Sequence, residues 1–388
     1  MKLVKSLLLG SAAGLVAVAG ASAADLGVKK PTAVEYVKTC PTYGAGFFVV
    51  PGTTSCLKLV GRVRADYILD NPRIRANNHN RFRVRGYVGF DHRTATEYGL
   101  LRTYVRAFFQ REDAAYSTTL EYAFIQFGGL TAGRVTPAFE HGWNQFYTLG
   151  GYGYHSDISY TNSLGYTANF GGGFSATITI DDGRERRVAA AGHAMPDITA
   201  SLGLTQSWGS LKLSGAIGQI RAAAPTVDTK YAYAVEAAAK INLDMLTKGS
   251  NLWLAAGFAQ GSASYNGFAS TFMIGNFTGT ITDATVVGTS LKLSTSYALM
   301  GALQVYATPT VAVSIGGTYA VHNPTGANNS LRTASVIGQV AWMPVAGFLI
   351  GAEGAYRTLG FDAGAAVAAT SGNSKNDFVG RLRFQRDF

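Results

Sequence analysis

The stretch RFRVRGYVGF, residues 81–90, places arginines at 81, 83 and 85 and fills the alternate row with Phe82, Val84, Gly86 and Val88. Successive side chains of a β-strand point to opposite faces, so this segment is basic on one face and apolar on the other. In a soluble β protein the apolar face packs into a core and the arginines meet bulk water. In a transmembrane barrel the sense inverts: apolar residues meet lipid, and polar ones line a water-filled lumen.

The pattern recurs along the chain. In CLKLVGRVRADYIL (56–69), Leu57, Leu59, Val63, Tyr67 and Leu69 alternate with Lys58, Arg62, Arg64 and Asp66. LRTYVRAFF (101–109) sets Thr103, Val105 and Ala107 against Arg102, Tyr104 and Arg106, and FSATITID (174–181) repeats the period. LKLSTSYAL (291–299) reads as a single alternating strand, and the last strand sets Phe378, Leu382 and Phe384 against Arg381, Arg383 and Gln385. Sixteen segments are placed this way, starting near 57, 80, 98, 120, 129, 158, 174, 198, 210, 231, 250, 290, 309, 331, 345 and 376. The links alternate in length. Short ones fall at 128–129, 171–173, 209–210, 308–309 and 344–347, with medium ones around DHRTATE and LDMLTKGS. Long ones fall at about 69–79, 135–157, 181–197, 221–230, 261–288, 322–330 and 359–375. An even-stranded barrel sorts its loops so, with tight turns at one membrane face and long loops at the other.

Three features favour the membrane reading. Arg62 and Arg64, then Arg81, Arg83 and Arg85, then Arg102 and Arg106 share one face of three successive strands. They would form a basic wall, odd on a soluble surface but apt in a channel. The apolar faces are rich in Gly and Ala, where a soluble core would favour larger residues. The chain ends in Phe388 after an alternating strand, a common signature of outer-membrane barrels that assembly machinery reads. Energy fixes the register: an arginine facing mid-membrane lipid costs about 2–4 kcal/mol, and three on one strand on the order of 6–12 kcal/mol. That rivals the stability of a whole domain. Arg81, Arg83 and Arg85 must face water.

The reading is therefore an all-β transmembrane antiparallel barrel of sixteen strands. A tube that wide encloses an aqueous channel and needs narrowing. The candidate is the segment 134–157 after the fifth strand, rich in glycine and aromatics, with Glu140 and Asp157 as acids to face the arginine wall. The N-terminus carries Lys2 and Lys5, an apolar run from Leu7 to Ala19 and the small-x-small site Ala21-Ser22-Ala23, the pattern of a secretory signal peptide cut after Ala23. Its removal takes two lysines and no acids, and the formal charge from +10 to +8. The domain plan is then a leader over 1–23, an N-terminal segment over 24–56 and the barrel over 57–388. The two cysteines, Cys40 and Cys56, follow the leader into an oxidising compartment, and one disulfide between them is expected. No CxxC or HxxxH spacing supports a metal site, and no cofactor is implied.

The segment CPTYGAGFFVVPGTTSCLKLVGRVRADY (40–67), together with YAFIQFGGLTAGR (122–134) and RLRFQRDF (381–388), resembles the alphaproteobacterial general porins. The resemblance implies a homotrimer of sixteen-stranded barrels in the bacterial outer membrane, in contact with its lipid. It implies passive diffusion of small hydrophilic solutes and ions, with the third extracellular loop narrowing each pore. The segment 134–157 stands where that loop falls. The seven arginines stand where a basic wall would face it and bias the pore toward anions. One departure is Arg386, which takes a place where outer-membrane barrels commonly carry an apolar residue; snorkelling to the interface would accommodate it.

Three rival readings share some of these features. A barrel hydrolase would need a nucleophile and base at a rim. His155-Ser156-Asp157 is a poor triad, because adjacent strand residues point apart, and GxSxG is absent. A nucleic-acid binder fits the basic charge but not the export signal. A substrate-specific channel is the serious alternative, with an arginine ladder guiding anions and Tyr104 and Tyr152 as stacking surfaces.

Overall fold

The computed structural model describes residues 37–70, 78–141, 146–147, 160–186, 191–268, 271–274, 277–324, 330–361 and 376–388. The expected leader, Tyr152 and Asp157 lie outside the described residues. Within the unit Thr39–Phe388, sixteen long strands follow in chain order: β1 (Cys56–Leu69), β2 (Asn80–Thr96), β3 (Gly99–Glu112), β4 (Ala115–Phe127), β5 (Leu130–Val135), β6 (Thr161–Gly171), β7 (Phe174–Asp181), β8 (Asp197–Gln206), β9 (Gly209–Ile220), β10 (Lys230–Asn242), β11 (Asn251–Gln260), β12 (Thr295–Thr308), β13 (Val311–Asn323), β14 (Leu331–Val345), β15 (Phe348–Phe361) and β16 (Asn376–Asp387). Each pairs antiparallel with the next, and β16 returns to β1, from Asp387 opposite Arg62 to Gly380 opposite Leu69. Closure pairs the backbone groups within the sheet and removes the edge that a bilayer cannot solvate.

Polarity sorts by face. On β2, Phe82, Val84 and Val88 are 65%, 50% and 54% exposed on the outside, while Arg81, Arg83 and Arg85 point inward and are half-buried. Leu59, Val63 and Leu69 of β1 and Val105 and Phe109 of β3 continue the outer apolar surface. Large aromatics mark the outer rims, among them Tyr98 and Trp208 at one end and Tyr116 at the other, as expected of an interfacial girdle.

The links follow the expected sides with two differences. The β2–β3 link is a two-residue turn, 97–98, and the β3–β4 link, on the long-loop side, is also only two residues, 113–114, with Asp113 at φ 50°. β4 consequently starts at Ala115, earlier than its alternation indicates. The β6–β7 turn is made by Gly171, Gly172 and Gly173, all with positive φ, a conformation that other residues rarely adopt in succession. A third difference concerns LKLSTSYAL, which is not one strand. Ser290–Leu293 pairs with Ala284–Val287 in a separate small hairpin, and β12 begins at Thr295. The break is at Ser294, whose N–H and hydroxyl both donate to the Asp283 carbonyl while its own carbonyl accepts from Gly261.

The seam between first and last strands is closed by the ends of the chain. Phe388 exchanges two backbone hydrogen bonds with Gly61 at 2.8 and 3.0 Å, and its ring lies over Gly61, where any Cβ would collide with it. Beyond the reach of β16, Phe48 and Val49 pair with Leu57 and Cys56, covering the remaining edge of β1. The Cys40–Cys56 disulfide ties this segment down, with Phe47 buried against it. Arg386 sits on the outer face near the same rim and donates to the Ala346 carbonyl in the β14–β15 turn at 2.5 Å.

Gly61→Leu is expected to evict the Phe388 ring and lower the yield of heat-resistant folded barrel, read by gel mobility before and after boiling. A yield and melting point equal to the parent's would show that the ring contributes nothing to the seam.

Candidate functional site: the lumen wall

Closure of the barrel brings the inner faces of β16, β1, β2, β3 and β4 side by side. Their registers place Arg64 opposite Arg85 and Gln385, Asp66 opposite Arg83 and Arg383, and Arg62 opposite Tyr87 and Asp387. The seven arginines singled out by the sequence all point inward, and Arg381 and Arg383 of β16 extend the same wall. Arg93 joins it at the other end, opposite Arg102.

The wall is a network of ion pairs rather than a field of bare cations. Arg62 meets Asp387 at 2.5 Å. Asp66, 2% exposed, accepts from Arg83 at 2.6 Å and from Arg383 at 2.7 Å. Arg81 pairs with Asp70 at 2.7 Å and with Glu112. Arg93 and Arg102 share Asp91, each at 2.9 Å. Arg106 pairs with Glu121, which also accepts from the Tyr160 hydroxyl. Glu121 reaches inward because the β3–β4 register shifts there: Arg106 faces Tyr122 and Ala107 faces Leu120, leaving Glu121 as the extra residue of a bulge. Aromatic rings lie between the guanidiniums. Arg62 and Arg64 stand 5.6 and 5.4 Å from the Tyr87 centroid, Arg85 is 4.5 Å from that of Phe108, and Arg102 is 5.2 Å from that of Tyr104.

The opposite half of the interior is different. On β9–β11 the inward residues include Ala216, Ala234 and Ala259, and Phe139 and Tyr265 pack on them. Farther round, Phe146 packs on Met300, Ala302, Ile337 and Ala355 of β12, β14 and β15. The described residues of the segment after β5 therefore lie inside the barrel. Tyr147 reaches the β15–β16 wall: its N–H donates to Glu353 at 2.5 Å, its carbonyl accepts from Arg381, and Arg383 lies 4.2 Å from its ring centroid. Burial pushes the Tyr147 phenol up to about 12, keeping it neutral.

Glu140 occupies a different place from the one expected of it. Phe139 anchors its neighbourhood on β9–β11, half the circumference away from β1–β3, and its carboxylate meets the buried Arg186 at 3.4 Å. Its carbonyl accepts from Lys212 of β9 at 2.5 Å. The expectation that small residues mark lipid-facing surface also fails on β10, where Ala232, Ala234 and Ala238 face inward and are buried. Folded-in chain lies against two of them, Phe139 and Tyr265 on Ala234 and Leu291 on Ala232.

A second inserted segment follows β11, where the alternation indicates only a long link over 261–288. Its short 3-10 helix, Ala263–Asn266, is fully buried, and Phe268 and Ile281 pack on inward Ala298, Ala320, Leu331 and Leu359. Tyr265 donates to Asp197 at 2.9 Å, and the Arg186 guanidinium lies 4.1 Å from its ring centroid.

A closed sixteen-stranded barrel with an apolar belt outside and an arginine-rich lumen defines an outer-membrane channel. The Porin subfamily model matches residues 25–381, and the chain belongs to that family. It is similar to Porin Omp2b of Brucella suis biovar 1 (strain 1330), with 30% identity over 421 residues covering 99% of each chain. In fold it is similar to the outer membrane channel DcaP of Acinetobacter baumannii, with a TM-score of 0.71 and 14% identity over 88% of this chain and 99% of that one. An anion-selective porin from Comamonas acidovorans has a TM-score of 0.56 and 11% identity over 86% of this chain and 100% of that one. The protein is an outer-membrane porin, a channel rather than an enzyme.

Asp66 is the keystone of the wall, so Asp66→Ala should leave Arg83 and Arg383 without their shared carboxylate. Breaking a buried ion pair on one side costs about 3–5 kcal/mol. The thermal unfolding temperature of the detergent-solubilised barrel should fall clearly; an unchanged transition would mean the pair contributes nothing to stability.

Proposed function

We propose that the protein is a passive-diffusion pore for small hydrophilic molecules and ions, biased toward anions and acting as a homotrimer. The observation that carries the reading is the charge count of the wall. Ten arginines (62, 64, 81, 83, 85, 93, 102, 106, 381 and 383) share a network with seven carboxylates, Asp66, Asp70, Asp91, Glu112, Glu121, Glu353 and Asp387. A one-signed excess inside a narrow low-dielectric tube focuses potential along the solute path. The anion selectivity named for the Comamonas acidovorans porin supports the sign.

In this reading the segment 134–157 narrows the pore, with Phe139 and Phe146 as its anchors, and the segment after β11 narrows it from the same side. Residues 1–23 are an export signal, 24–56 an N-terminal segment pinned by the disulfide, and Phe388 the residue read during barrel assembly. Membership of the porin family supports the trimer. The specific-channel alternative keeps one observation in its favour: Tyr104 stacks on Phe124 at 5.4 Å beside Tyr122, an aromatic strip on the inner face.

Recording in planar bilayers under a salt gradient tests the reading. Ohmic steps arriving in threes, indifferent to added sugars, with a reversal potential of anion-preferring sign, are expected. Small steps blocked by one sugar at low concentration would replace the general pore with the specific channel. A cation-preferring sign would remove the anion bias.

A further inference from the structure

The wall arginines are not equivalent. Of the seven that the sequence singles out, five have carboxylate partners: Arg62, Arg81, Arg83, Arg102 and Arg106. The other two are held by neutral amides. Arg64 donates its Nε–H to Gln385 at 3.1 Å, and Arg85 donates its Nε–H to Gln110. Among the described residues neither makes an ion pair. These two are direct cross-strand partners in the β1–β2 register. Like charges placed directly opposite one another destabilise a sheet. The neighbouring acids are already engaged, Asp66 by Arg83 and Arg383 and Glu112 by Arg81.

The geometry points to a station for a soluble oxyanion between Arg64 and Arg85: we propose that these two guanidiniums together coordinate a phosphate-, sulfate- or carboxylate-bearing solute in transit. Each is oriented before the solute arrives. Glutamine fixes the Nε edge without neutralising the charge, and an aromatic ring supports the plane, Tyr87 under Arg64 and Phe108 under Arg85. Both Nη groups of Arg64 remain for a ligand, as does Nη2 of Arg85, whose Nη1 donates to the Tyr87 hydroxyl at 3.3 Å. An oxyanion with two or more acceptor oxygens would relieve the repulsion of the pair and accept charge-assisted hydrogen bonds from both. Ion-paired neighbours offer no such gain, because a solute must compete there with a fixed carboxylate. Selection is thereby assigned to two residues rather than to the whole wall.

The inference rests on the anion-biased pore proposed above, and its test separates the two. Full-length protein in planar bilayers is titrated with inorganic phosphate while chloride current is recorded. The parent should show saturable reduction of that current. Arg64→Gln/Arg85→Gln should need about tenfold more phosphate for half-reduction and lose most of its anion preference. Arg64→Lys/Arg85→Lys keeps the charges without the planar fork. It should retain the preference while still losing phosphate sensitivity, and it serves where the glutamine variant does not fold. Arg357→Gln/Asp377→Asn removes an ion pair elsewhere on the inner face and should change neither property. Phosphate sensitivity surviving in both arginine variants would overturn the station, as would an anion-selective parent indifferent to phosphate. A cation-selective parent would instead overturn the anion-biased pore itself.

Discussion

The constraint on which the structure depends is that a guanidinium tolerates water and a phenyl ring tolerates lipid, and a strand presents one residue to each in turn. Along β2 this forces Arg81, Arg83 and Arg85 to one side and Phe82, Val84 and Val88 to the other. A slip of one residue would carry the arginines into hydrocarbon, at a cost comparable to the stability of the fold. Hydrogen-bond register then propagates that choice to the neighbouring strands. Closure between β16 and β1 brings Arg383 against Asp66 and Gln385 against Arg64, although more than three hundred residues of chain separate them.

The interior divides into two halves that solve different problems. On the β16–β4 side the inward residues are long and charged, and each carboxylate is placed where register lets it reach one or two guanidiniums. Asp66 holds two arginines because it lies between them on the central strand of three. On the β9–β15 side the inward residues are often alanine, and inserted chain replaces water. Phe139, Phe146, Tyr265 and Phe268 fill what the small side chains leave open. The insert rests on the alanine half through Phe139 and Phe146 and touches the arginine half through Tyr147, at Arg381 and Arg383.

The barrel was legible in the sequence because the lipid penalty acts on every second residue over ten or more residues, and RFRVRGYVGF shows it without help from tertiary contacts. The inward packing of Phe139, Phe146 and Tyr147, the described part of the segment after β5, agrees with the expectation drawn from its glycine and aromatic content. What was not legible depends on register or on small residues. That Glu121 would turn inward to Arg106 follows from a bulge, which alternation alone does not announce. Arg381 and Arg383 join the wall only once the last strand is placed beside the first. Inward alanines such as Ala298 of β12 and Ala320 of β13 look the same whether they face lipid or a buried loop, so the insert carrying Phe268 and Ile281 left no periodic trace. The run 291–299 read as one strand because Leu291 and Leu299 keep the period across a break at Ser294.

The central claim is the alternation of solvents along β2, and cysteine scanning tests it most directly. The native cysteines are joined in a disulfide, so single cysteines at 81–85 and 88 can be introduced into an otherwise unreactive chain and the protein placed in bilayers. A charged, membrane-impermeant thiol reagent should change the current through Arg81→Cys, Arg83→Cys and Arg85→Cys. It should leave Phe82→Cys, Val84→Cys and Val88→Cys unaffected. Reactivity without a two-residue period, or with the opposite phase, would contradict the account.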